Sequence, residues 1–94
     1  MKQPSQLTRL IWDFYRENQQ ELDQLQLLAN CRVFRRWGVL HIQCLTQEIG
    51  EALTQVYSLI REPVSQMRLA PKIKISVKNI TVAVFYVKSD QIMA

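Results

Sequence analysis

Histidine occurs once in this sequence, glycine and cysteine twice each, and no apolar run approaches the length of a membrane span. Each scarcity excludes something. A spanning helix needs about 20 consecutive apolar residues, so no membrane partner is expected. The amino terminus reaches charge and Trp12-Asp13 before any apolar stretch of signal-peptide length, so the expected location is cytoplasmic. Two cysteines, Cys31 and Cys44, are too few for a disulfide-rich scaffold or a four-thiolate zinc site, and they form no C-x-x-C pair. With His41 the sole histidine, no metal-ligand cluster can be assembled and no cofactor is expected. Gly38 and Gly50 stand too far apart for a phosphate-cradling loop.

What is present is one domain's worth of chain. Ninety-four residues, 48% of them hydrophobic, suffice for a single core over residues 1–94. The formal net charge of +4 hides an asymmetry. Segments 31–45 and 71–88 contain Arg32, Arg35, Arg36, Lys72, Lys74, Lys78 and Lys88 and no acid, so every carboxylate lies elsewhere.

Hydropathy patterning assigns structure to those segments. Ser5 after Pro4 starts a helix, along which Leu7, Leu10, Ile11, Phe14, Leu22, Leu25 and Leu28 recur at helical spacing. The polar run 17–20 leaves open one long helix or two. Residues 31–45 read as two strands with a turn near Trp37-Gly38; a two-residue turn pairs Cys31 with Cys44, Val33 with Ile42 and Phe34 with His41, and a four-residue turn shifts the pairs but keeps the faces. Thr46 caps a second helix carrying Ile49, Leu53, Val56 and Ile60, which Pro63 should end or kink. Residues 72–86 form a second hairpin around Lys78-Asn79. Strict alternation there puts Ile73, Ile75, Val77, Ile80, Val82, Val84 and Tyr86 on one face. Lys72, Lys74, Ser76, Thr81, Ala83 and Phe85 line the other. Residues 88–94 read as a flexible tail.

The order helix, hairpin, helix, hairpin predicts an α+β fold. About four strands form one antiparallel sheet, with two main helices on its apolar face. The opposite face then presents Arg32, Phe34, Arg36, His41, Lys72, Lys74 and Phe85, with Trp37 at the hairpin tip and no carboxylate. Cations suit phosphates and exposed rings suit unstacked bases, so the mixture fits single-stranded RNA or DNA. It equally describes a solvated sheet face or a contact for another protein or a second copy of this chain. The residues give no G-x-x-G clamp of a KH domain and no RRM aromatic strand motif.

The other constellations have plainer readings. Opposed cysteines read as buried thiols rather than a disulfide or redox switch. His41 reads as a surface ring against Phe34, since no carboxylate is near to orient it as a base. Asp13 and Glu17 read as a solvated helix face balanced by Arg9 and Arg16. With no assembled nucleophile, base or phosphate loop, the sequence predicts a non-enzymatic interaction module, with single-stranded nucleic-acid binding as the alternative.

Overall fold

The computed structural model describes residues 5–87. The predicted tail, 88–94, lies outside the described residues. The chain runs α1 (Gln6–Phe14), α2 (Gln19–Gln24), a 3-10 turn (Gln26–Asn30), β1 (Cys31–Arg36), β2 (Val39–Cys44), α3 (Gln47–Gln55), α4 (Tyr57–Gln66), β3 (Lys72–Val77) and β4 (Ile80–Tyr86). The α+β class and the order of helices and hairpins are as the sequence predicts. The first helical segment is the broken alternative, two helices, and the second, expected as one, is also a pair.

The caps follow from the residues. Ser5 Oγ accepts the Thr8 amide hydrogen bond at 3.2 Å, and Thr46 Oγ1 accepts that of Ile49 at 3.2 Å. Both satisfy donors that a first helical turn leaves unpaired. The first helix breaks after Phe14, ahead of the polar run 17–20. The second breaks at Val56 and not at Pro63, which sits inside α4. A proline inside a helix leaves the carbonyl four residues earlier without its amide partner. That carbonyl is Leu59, and the buried Tyr15 hydroxyl donates to it at 2.8 Å. Pro63 therefore creates the acceptor that ties α1 to α4. Burial, with Glu62 and Glu21 adding to it, holds the Tyr15 phenol above its ordinary range. Trp12 Nε1 makes a second such tie, donating to the Leu25 carbonyl at 2.9 Å.

The four strands lie in the order β1-β2-β3-β4. Both hairpins are antiparallel, but β2 and β3 run parallel, with Leu40 beside Ile73 and Ile42 beside Ile75. The sheet is thus mixed and not antiparallel throughout. The physical reason is the connection: α3 and α4 carry the chain back to the end where β2 began, and a strand reached by such a crossover runs parallel. One core fills the space between helices and sheet. Ile11, Leu25, Leu28, Leu40, Ile42, Leu53, Ile60 and Ile75 are all fully buried there. No buried side-chain polar atom among the described residues lacks a hydrogen-bond partner.

Candidate functional site: the uncovered sheet face

The face of the sheet turned away from the helices is built by two hairpins with the same turn. Trp37 and Gly38 adopt φ of 55° and 73°, and Lys78 and Asn79 adopt 53° and 69°. Two successive left-handed residues match the right-handed twist of the strands they join. In the first hairpin the register is that of the two-residue turn, with Arg32 opposite Gln43, Phe34 opposite His41 and Arg36 opposite Val39, and the faces are as the sequence predicts.

In the second hairpin it departs. Val77 faces Ile80 and Ser76 faces Thr81, but a bulge then intervenes and Ile75 faces Ala83, Lys74 faces Val84 and Lys72 faces Tyr86. Val82 is the extra residue, and a slip of one residue reverses the faces of everything beyond it. Phe85 therefore leaves the candidate surface. It packs against the core and stacks on Tyr57, with centroids 4.2 Å apart and planes 6° apart. Val84 and Tyr86, predicted inside, are 42% and 60% exposed. Packing explains the slip: it covers the fully apolar Phe85 and Val87 and leaves the Tyr86 hydroxyl in water.

The face is consequently three rows deep and four strands wide. Arg32, Gln43, Ser76 and Thr81 form one row, Phe34, His41, Lys74 and Val84 the next, and Arg36, Val39, Lys72 and Tyr86 the third. Strand spacing and rise make it about 14 Å by 13 Å. It contains four cations and no acid. None of Arg32, Arg36, Lys72 and Lys74 is in an ion pair among the described residues, where Arg16 and Asp13 form a 3.2 Å surface pair elsewhere.

Rings and cations on the face already touch one another. Phe34 and His41 stack with centroids 4.8 Å apart and planes 9° apart. The Arg32 guanidinium lies 5.0 Å from the Phe34 centroid, and Lys72 Nζ lies 5.0 Å from that of Tyr86. Burial, then the Lys74 and Arg36 charges, hold the His41 imidazole below its ordinary range, against a hydrogen bond to the Arg36 backbone. His41 is accordingly a neutral ring near neutral pH.

Trp37 stands at the edge of this surface, 87% exposed, and does not fold back on the sheet. A bulky residue with positive φ is conformationally strained. Behind it the tip is fastened: Arg35 Nη1 donates to the Leu69 carbonyl at 2.9 Å, and Gly38 lies close to Pro71.

The two remaining candidate groups lie elsewhere. Cys31 and Cys44 are free thiols on the helix side, Cys31 half-buried and Cys44 buried, with their sulfurs 3.6 Å apart. Hydrogen bonding to Cys44, then burial, pushes the Cys31 thiol up. Accepting that hydrogen bond pulls Cys44 down, against burial. A concavity of about 580 Å³ is an open groove beside Val64, Gln66, Leu69, Pro71 and Val87, with Arg68 the charged residue lining it among the described residues. No group of three or more histidine, cysteine or acidic side chains suited to a metal ion occurs among the described residues. No helix among them is long and apolar enough to cross a membrane.

Of the predicted surface residues, the structure brings together Arg32, Phe34, Arg36, His41, Lys72 and Lys74, places Trp37 at their margin and removes Phe85. The residue that sequence reasoning missed is Tyr86. Residues 82–87 are apolar throughout apart from its hydroxyl, so alternation there has two registers and no polar marker to choose between them. No protein-family model, no curated protein and no solved structure matches this chain.

Proposed function

We propose that this protein is a non-enzymatic binding module whose contact surface is the uncovered sheet face and whose partner is an acidic surface of another protein. One observation carries the reading: among the described residues, four cations in no ion pair share a face with no carboxylate. Cations held this way raise the local concentration of an anionic partner and speed encounter. Trp37 supplies an exposed aromatic anchor of the kind enriched in binding hot spots. A two-fold dimer across this face sets four cations against four, so self-association through it is opposed.

A second reading, single-stranded RNA or DNA, is favoured by Tyr86 alone. The bulge turns this ring outward beside Lys72, giving a second exposed aromatic next to a cation. Phe34 supports it less, because Arg32 and His41 already lie against its ring. No catalytic role is assigned to His41, which has cations and not a carboxylate around it.

The test is fluorescence anisotropy at several salt concentrations with two probes, an acidic peptide and a mixed single-stranded oligonucleotide. Under the leading reading the peptide binds, and Arg36→Ala and Trp37→Ala weaken it most. If the oligonucleotide is the ligand, Lys72→Ala and Lys74→Ala each flatten the salt dependence by about one unit. In that case Tyr86→Ala costs about 1–3 kcal/mol with little change in slope. Binding that survives loss of all four cations, or no binding of either probe at low salt, rejects the surface.

A further inference from the structure

On the helix side of the first hairpin, Cys31 and Cys44 are directly opposed across adjacent antiparallel strands. Counting from the two-residue turn, hydrogen-bonded and non-hydrogen-bonded pairs alternate. Arg36 and Val39 flank the turn as a hydrogen-bonded pair, so the sixth pair out, Cys31 and Cys44, is non-hydrogen-bonded. Such pairs hold their Cα atoms about 4.5 Å apart, with side chains closer than in the alternate kind. That separation falls at the short end of the span a disulfide bridges, about 4.4–6.8 Å. The sulfurs, 3.6 Å apart, are already in contact.

We propose that Cys31 and Cys44 form a dedicated oxidation site, which takes hydrogen peroxide as its substrate and closes into an intramolecular disulfide. Strand pairing carries this, independently of what binds the opposite face.

The two cysteines divide the chemistry. Cys31 donates its hydrogen bond toward Cys44 and so favours a thiolate on Cys44. That single thiol hydrogen has an alternative acceptor in the Leu27 carbonyl at 3.5 Å, and the Cys44 thiol has one in the Ile42 carbonyl at 4.0 Å. Cys44 is only 5% exposed, so the oxidant that reaches it is little larger than water, arriving past the half-buried Cys31 on the edge strand. The Cys44 thiolate attacks one peroxide oxygen. A sulfur–oxygen bond forms, the oxygen–oxygen bond breaks, and the departing hydroxide takes up the proton released by the Cys44 thiol, giving a sulfenic acid and water. The Cys31 sulfur then attacks the Cys44 sulfur. The sulfur–sulfur bond forms, the sulfur–oxygen bond breaks, and water departs with the Cys31 proton. Two thiols and one peroxide become one disulfide and two waters.

The test compares reduced wild-type protein, folded and urea-unfolded, exposed to hydrogen peroxide and followed by intact mass and peptide mapping. The folded protein should lose two hydrogen masses by joining residues 31 and 44. It should do so faster than the unfolded chain and recover on treatment with dithiothreitol. Oxidation in the folded state that is no faster than in the unfolded one overturns the site. So does a product consisting of intermolecular dimers or sulfonic acids. Cys31→Ser, checked for fold by circular dichroism, should gain oxygen at Cys44, read by peptide mapping, while Cys44→Ser should gain little at Cys31. The reverse pattern overturns the assignment of Cys44 as the attacking sulfur. The wild-type rate comparison decides the site even where a variant does not fold.

Discussion

The two hairpins close with the same left-handed turn and diverge within three residues of it. In β1–β2 each residue keeps its partner from Arg36–Val39 to Cys31–Cys44, whereas β3–β4 inserts Val82 after two pairs. The difference lies in what the wrong register would cost. In the first hairpin, Arg32, His41 and Gln43 mark one face and Val33, Leu40 and Ile42 the other, so a slip of one in β1 would bury Arg32 and expose Val33. In β4, after Thr81, both registers offer apolar residues to the core, and local pattern decides nothing. The helices then select the register that covers Phe85 and Val87. Alternation fixes a face only where the wrong choice is expensive.

The largest effect that tests this comparison is truncation on the two faces of the second hairpin. Ile75 is fully buried, so Ile75→Ala should lose about 2–5 kcal/mol in urea unfolding. Val84→Ala, four-tenths exposed, should lose less than Ile75→Ala, by at least about 1 kcal/mol. Equal losses would mean that the bulge is absent in solution and Val84 is a core residue.

Gly50 sharpens the same point at the helix–sheet contact. A Cβ added there would lie 2.9 Å from Val77 Cγ2 and 3.7 Å from Val82 Cγ2. Replacing a helical glycine by alanine ordinarily gains about 1 kcal/mol. Overpacking costs about 1–3 kcal/mol, and the near contact is a strand side chain in the core. Gly50→Ala should therefore destabilise by about 1 kcal/mol, and a gain in the same unfolding measurement would show that α3 stands further from the bulge.

The turns compare more gently. Trp37 and Asn79 occupy the same region of backbone space, which asparagine tolerates and tryptophan does not. Trp37→Asn should raise stability by about 0.5–1 kcal/mol and Asn79→Ala lower it by a similar amount. A loss on Trp37→Asn would give the indole a structural role that its exposure argues against. A stabilised variant that binds its partner less well would identify strain kept for contact.

The smallest effect is electrostatic. His41 has its folded pKa depressed, first by burial and then by Lys74 and Arg36. The unfolded chain, with histidine near about 6.5, then binds more protons through the window between the two values. Stability should fall as pH drops from above about 6.5 toward the folded value, and His41→Gln should flatten that slope. An unchanged slope in the variant would place the cause elsewhere. For an anionic partner the sign is opposite, because protonated His41 adds a fifth cation to the face, so affinity should rise over the same descent.

Composition, caps, turn residues and alternation in the sequence determined the α+β class, both hairpins, the faces of the first and the segregation of acids away from the sheet. These are local matters, decided by spacing and by the cost of burying charge. Tertiary structure alone decided three things. A crossover through two helices made β2 and β3 parallel. The break at Val56, with Tyr15 taking up the carbonyl freed by Pro63, set where α1 packs. The bulge at Val82 exchanged Phe85 for Tyr86 on the candidate surface. In each case the local sequence permitted more than one arrangement, and the choice fell to contacts between elements distant along the chain.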